Sequence, residues 1–101
     1  MDKEKVLNLL GLAQRARMTV LGESMIIEQM KHTTKGIVFL ASDAGDNIVK
    51  KIKNKSNTYD HVLITGFDGE TLSKAIGKEN RKVVFITDKG FIKKFTEYIN
   101  S

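Results

Sequence analysis

The chain has 101 residues, 41% of them apolar and 29% charged, and a formal net charge of +5. That length holds one compact core, so residues 1–101 read as a single domain, and the apolar fraction excludes a disordered chain. Having no cysteine excludes disulfides, thiolate chemistry and a cysteine-based zinc site, while the absence of a membrane-length apolar run or signal-peptide layout leads to the expectation of a soluble cytoplasmic protein with no membrane contact.

Lys3 to Arg17 carries Val6, Leu9, Leu10, Ala13 and Ala16 at helical spacing, a stripe that faces a core. Arg17 is read as a terminal cation complementing the helix dipole, and Arg15 as a candidate phosphate contact. Met18 to Leu21 predicts a short strand, and Glu23 to His32 a second helix with Ile26, Ile27 and Met30 inward. Gly36 to Ala41 is a continuous apolar run, typical of a strand covered on both faces. Asp43 or Asp46 then caps a helix that runs to about Asn57, with Ile48, Val49 and Ile52 on its apolar side. His61 to Thr65 predicts a strand, and Asp68 caps a helix containing Leu72, Ala75 and Ile76. Val83 to Thr87 is another strand, and Asp88 caps a last helix bearing Phe91, Ile92, Phe95, Tyr98 and Ile99. Such alternation predicts an α/β/α sandwich, with helices on both faces of a central sheet.

Two polar turns stand out as candidate binding elements. Gly22-Glu23-Ser24 lies between Val20-Leu21 and the apolar run Met25, Ile26, Ile27, Met30, where a strand gives way to a helix. The first N–H groups of a helix lack intrahelical partners and the macrodipole favours negative charge, so this start can receive an anion. A plain turn explains Gly22 equally, and Ser24 suits a helix N-cap or first turn. The second turn, Gly77-Lys78-Glu79-Asn80-Arg81-Lys82, supplies cations. The basic excess is concentrated in residues 51–101, with ten basic and six acidic side chains, against seven and six in residues 1–50. One turn offering amides and one offering cations suit a folded nucleic-acid backbone.

Five stretches in order carry a family resemblance: Gly11-Leu12-Ala13-Gln14-Arg15-Ala16-Arg17, Leu21-Gly22-Glu23, Val38-Phe39-Leu40-Ala41-Ser42-Asp43-Ala44, Lys74-Ala75-Ile76-Gly77-Lys78-Glu79 and Val83 to Phe91. They resemble the kink-turn-binding ribosomal protein family (ribosomal protein L-seven-Ae and its relatives), and within it the bacterial YlxQ-like branch. The resemblance covers nearly the whole chain. It implies a three-layer α/β/α sandwich with a small mixed four-stranded sheet, RNA binding without catalysis and no cofactor. It also implies that the turn at Gly22, Glu23, Ser24, Met25 and Glu28 enters a widened groove at tandem sheared G·A pairs. It implies likewise that the turn at Gly77, Lys78, Asn80, Arg81 and Lys82 covers a flipped-out nucleotide. The chain departs from the archaeal pattern: Ser24 replaces a base-reading asparagine, Met25 a glutamate, Glu28 a lysine and Lys78 an apolar residue, and the second turn is about two residues shorter. Serine still donates and accepts hydrogen bonds.

Other conspicuous residues have structural explanations. Lys50, Lys51, Lys53 and Lys55 spread around more than half of a helix and read as a solvated face. His32 and His61, without carboxylate or cysteine partners at metal spacing, read as surface or strand-edge residues. Capping accounts for Asp43, Asp68 and Asp88, and core or rim packing for Phe67 and Phe91. The lead expectation is a ribosomal-type RNA-binding protein that recognises kinked or structured RNA, with ribosomal or translation-factor proteins as further partners. The alternative is a protein-interaction adaptor on the same fold, coupled to translation or transcription machinery and using Met18, Met25 and Ile27 as contact surface. An enzyme is disfavoured, because no dinucleotide fingerprint or His–carboxylate pairing is visible.

Overall fold

A computed structural model describes all of residues 1–101. Helix α1 (Lys3–Arg15) begins where Asp2 Oδ1 accepts a hydrogen bond from the Lys5 N–H, and it buries Val6, Leu9, Leu10 and Ala13. It stops short of Arg17, whose backbone is left-handed at φ 59°. The Arg17 N–H donates to Gln14 O and the Met18 N–H to Ala13 O, the paired closure that ends a helix. Arg17 is therefore a residue of the reversal, and Arg15 is the cation of the last turn. The reversal also uses up Met18, so β1 is only Val20–Leu21.

Helix α2 (Glu23–Lys31) follows, then β2 (Ile37–Leu40), α3 (Asp46–Thr58), β3 (Val62–Ile64), α4 (Gly69–Ala75), β4 (Val83–Ile86) and α5 (Lys89–Ile99). Asp68 and Asp88 cap their helices as predicted, accepting from the Thr71 N–H at 2.8 Å and the Phe91 N–H at 3.0 Å. Neither Asp43 nor Asp46 caps α3. Gly45 holds the N-cap position without a side-chain hydrogen bond, Asp46 is the first helical residue, and Asp43 is committed elsewhere.

The four strands lie in the order β1-β4-β2-β3, with β2 and β3 parallel and the other pairs antiparallel. Strand pleating divides the side chains between two cores. Ile37 and Phe39 of β2 and Val84 and Ile86 of β4 join α1, α4 and α5 through Leu10, Leu72 and Phe95. Val38, Leu40, Val83 and Phe85 face the other way, onto Ile26 and Met30 of α2 and Ile52 of α3. The result is an α/β/α sandwich with both central strands fully covered.

His61 departs from its expected surface position. It is buried at 9% exposure, its Nδ1 accepting from the Gly36 N–H at 3.1 Å and its Nε2 lying 2.9 Å from Met30 O. These partners require the neutral ring with the proton on Nε2. The ring packs edge-on against Phe85, with centroids 5.0 Å apart. The cause is the end of α3: Asp60 turns left-handed at φ 59° and the His61 N–H returns to Ser56 O. That reversal places the imidazole among Gly36, Met30 and Phe85. His32 is exposed, but its Nε2 lies 3.0 Å from Glu28 Oε1, an i,i+4 pair on α2 that the sequence reading overlooked.

Candidate nucleic-acid interface

Strand register determines where the two turns lie. Leu21 stands opposite Val84 in the antiparallel β1–β4 pair, so Gly22 leaves the sheet at the end where Lys82 enters it. The Ala41 N–H donates to Lys82 O at 2.8 Å, which puts the β2–α3 loop at that end as well. Residues far apart in sequence thus share one rim of the sandwich.

Gly22 is the N-cap of α2, with φ 89° and ψ 129° and no side-chain capping bond. A Cβ there meets nothing within 4 Å, so the demand for glycine is purely conformational. The first amide in the helical ladder is Ile26 N–H, which donates to Gly22 O at 2.9 Å. Those of Glu23, Ser24 and Met25 precede the ladder and gather at the positive end of the dipole. Ser24 is an exposed first-turn residue rather than the cap, and Met25 is 55% exposed. Ile27, by contrast, is half-buried against the α2–α3 core, which removes it as a free contact surface. The Glu23 carboxylate lies 3.5 Å from Lys51 Nζ. Glu28 is exposed, with His32 Nε2 at 3.0 Å and with Lys31 Nζ at 4.0 Å, whose ammonium offsets part of its charge.

The second turn begins with a helix stop. The Gly77 N–H donates to Lys74 O and the Lys78 N–H to Ser73 O, with Gly77 left-handed at φ 66°. Asn80 is also left-handed, at φ 56°. Ser73, buried in α4, closes the loop: its Oγ accepts from the Arg81 N–H at 2.8 Å and donates to Arg81 O at 3.2 Å. Arg81 is half-buried, and its Nε is enclosed without a hydrogen-bond partner. Lys78 and Asn80 are exposed.

Lys82 serves first as a brace. Its Nζ lies 3.0 Å from Asp43 Oδ2, while Asp43 Oδ1 accepts from the Gly69 N–H at 2.8 Å. Asp43 thereby ties the β2–α3 loop to the start of α4 and the start of β4. Gly69 allows this approach, since a Cβ there would lie 2.7 Å from Lys82 Nζ. The Lys82 ammonium and the Gly69 amide hold the Asp43 carboxyl below its ordinary value of 3.8. Asp68 is lowered too, by the hydrogen bonds from Thr71. Asp43, read from sequence as a cap, is therefore part of the rim. Its separation from α3 by Ala44 and Gly45 was the available hint.

Two grooves meet at this turn, the first polar and the second mixed. One, of about 740 Å³, is lined by Asp43, Ser73, Lys78, Asn80 and Lys82 among others and has no apolar wall. The other, of about 650 Å³, runs between α1 and α4 and brings Arg15 and Gln14 beside Lys74 and Gly77. Arg15 thus joins the second turn. Lys74 and Gln14 line the grooves without having been singled out from sequence.

Residues 4–96 of this three-layer sandwich match the Ribosomal protein L7Ae/L30e/S12e/Gadd45 family. The chain belongs to that family. It is 40% identical over 98 residues to the RNA-binding protein YlxQ of Enterococcus faecium, covering 97% of this chain and 94% of that protein. To the RNA-binding protein YlxQ of Bacillus subtilis (strain 168) it is 38% identical over 92 residues, 91% of this chain and 92% of the relative. Among solved structures, a protein of unknown function from Bacillus halodurans C superposes with a TM-score of 0.87 at 35% identity, over 96% of this chain and 98% of the other. The Giardia lamblia 15.5kD RNA binding protein shares the fold, with a TM-score of 0.76 at 16% identity over 97% and 87% of the two chains. The named relatives are binding proteins, in line with the reading of this chain as non-catalytic. No helix is long and apolar enough to cross a membrane.

Proposed function

We propose that this chain is an RNA-binding protein that recognises kinked or structured RNA with the rim carrying Gly22–Met25 and Gly77–Lys82. The observation that carries the reading is the β1–β4 register, which brings the unladdered amides of α2 and the basic second turn to one end of the sheet. Glu23, Ser24 and Met25 present backbone donors to a phosphate or base edge. Lys78 and Asn80 line the polar groove, Arg81 follows them in the same turn, and Arg15 extends its reach along α1. Lys82 contributes chiefly by holding the turn in shape through Asp43. The relatives' names support RNA as the ligand. Association with the ribosome or the translation apparatus, in the cytoplasm, completes the proposal.

Titration into a kink-turn RNA and a matched straight duplex, at two salt concentrations with magnesium, tests it. The expected result is preference for the kinked RNA, with affinity falling as salt rises. Equal, salt-sensitive binding to both would remove kink specificity and leave general RNA binding. No binding to either would overturn the proposal in favour of a protein-interaction adaptor, with the exposed Met18 and Met25 as its contact surface.

A further inference from the structure

We propose that the outer face of α3 is a second RNA-contacting surface, a phosphate track in which Lys50 and Lys51 are central, Lys53 lies on the rim, and Asn47 and Asn54 supply uncharged donors. It takes the duplex arm that leaves the first turn, and the inference rests on the RNA-binding reading above.

Three observations carry it. The first is composition by face. Ile48, Val49, Ile52 and Ser56 turn toward the sheet, and Asn47, Lys50, Lys51, Lys53 and Asn54 are all exposed. The only acid of α3 is Asp46, in its first turn, and it makes no ion pair with Lys50.

The second is the contrast with the other helices. Each of the others pairs one lysine with a carboxylate three or four residues away, Lys5 with Asp2, Lys31 with Glu28, Lys74 with Glu70 and Lys94 with Glu97, although Lys3 of α1 and Lys89 and Lys93 of α5 are unpaired; α3 has no such local pair. On α3, Lys50, Lys53 and Lys55 have no carboxylate partner within 4.0 Å. Lys50 and Lys53, and likewise Lys51 and Lys55, stand three or four residues apart, where like charges repel by a few tenths of a kcal/mol per pair (about 0.2–0.5). A merely solvated face gains from mixed signs. An uncompensated one suits a ligand that brings the negative charge.

The third observation is position. The one ion pair of this face, Lys51 Nζ to Glu23 Oε1 at 3.5 Å, reaches the first residue of α2. It sets the α3 face directly beside the Gly22 turn and offsets the carboxylate an approaching phosphate would otherwise meet. RNA held by the amides of Glu23, Ser24 and Met25 therefore has its next backbone contacts on α3. Lys50 and Asn54, four residues apart, are separated by about 6 Å of helix rise along that path.

The test compares wild type, Lys50→Gln/Lys53→Gln and Lys50→Arg/Lys53→Arg on two RNAs. One is a kink-turn with both arms extended by a full helical turn, and the other is the same kink with its arms trimmed. Both substituted side chains are exposed, so thermal unfolding of the Gln variant should match or exceed wild type. On the extended RNA, the slope of log affinity against log salt should fall by about 1.5 for the two lost contacts. Affinity there should drop about tenfold, with the Arg variant like wild type and the trimmed RNA indifferent. If wild type binds both RNAs and the Gln variant keeps slope and affinity, the track is wrong while the RNA reading stands. An equal loss on both RNAs also overturns it, because the lysines would then act as diffuse charge. No wild-type binding to either RNA overturns both readings.

Discussion

The two turns on the rim differ in how they are held. The first rests on backbone geometry alone: Gly22 occupies a conformation L-residues rarely adopt, no side chain caps α2, and the one cross-link is the exposed Glu23–Lys51 pair. The second is fastened from three directions, by the helix stop at Gly77, by Ser73 bonded twice to Arg81, and by Lys82 clasped to Asp43. A start of helix needs little fastening, since its free amides follow from the helix itself. A loop of six polar residues has no such internal order and must be braced to keep its cations and groove in place.

Substitutions that separate backbone from bracing test this contrast. The largest effect is expected for Gly22→Ala: with φ 89° and ψ 129°, a β-carbon costs about 2 kcal/mol in chemical denaturation. Ser73→Ala should follow at about 1.5 kcal/mol, because it strands the Arg81 N–H, and it should weaken RNA binding without touching the first turn. Gly77→Ala should cost less, about 1 kcal/mol, since its φ of 66° lies in the ordinary left-handed basin that Asn80 also occupies. Equal losses at Gly22 and Gly77 would erase the backbone half of the comparison. Lys78→Gln, exposed and unbraced, should leave stability within about 0.5 kcal/mol while lowering the salt slope of RNA binding by about 1.

The smallest effect is a pH dependence. Because the folded Asp43 carboxyl sits below 3.8, the folded state binds fewer protons there than the unfolded chain. Its contribution is complete above pH 3.8 and fades as pH falls through the lowered folded value. Unfolding midpoints of wild type and Asp43→Asn should therefore differ by a constant amount above that pH and converge below it. A gap that persisted at the acid end would show that the brace does not depend on the Asp43 charge.

Much of this fold was legible in the chain. The stripes of α1 and α5, the continuous apolar runs of β2 and β4, and the caps Asp68 and Asp88 each depend on neighbours within a helical turn or a strand. The turn glycines were legible for the same reason. The helix end misread from sequence, at Arg17, is a left-handed closure built on a non-glycine residue, which carries no local signature. His61 was missed because burial of an imidazole depends on a donor at Gly36 and an acceptor at Met30, both distant in sequence. Asp43 was misassigned because its partners, Gly69 and Lys82, meet it only at the rim.

The sequence by itself determined the order and type of the elements, since periodicity, capping and glycine conformation are short-range effects. Tertiary structure alone decided the strand order β1-β4-β2-β3, the convergence of two turns on one rim, and which lysines are braces and which are free. Those outcomes depend on strand register and on charges meeting across the sandwich, and neither is encoded within reach of any single segment.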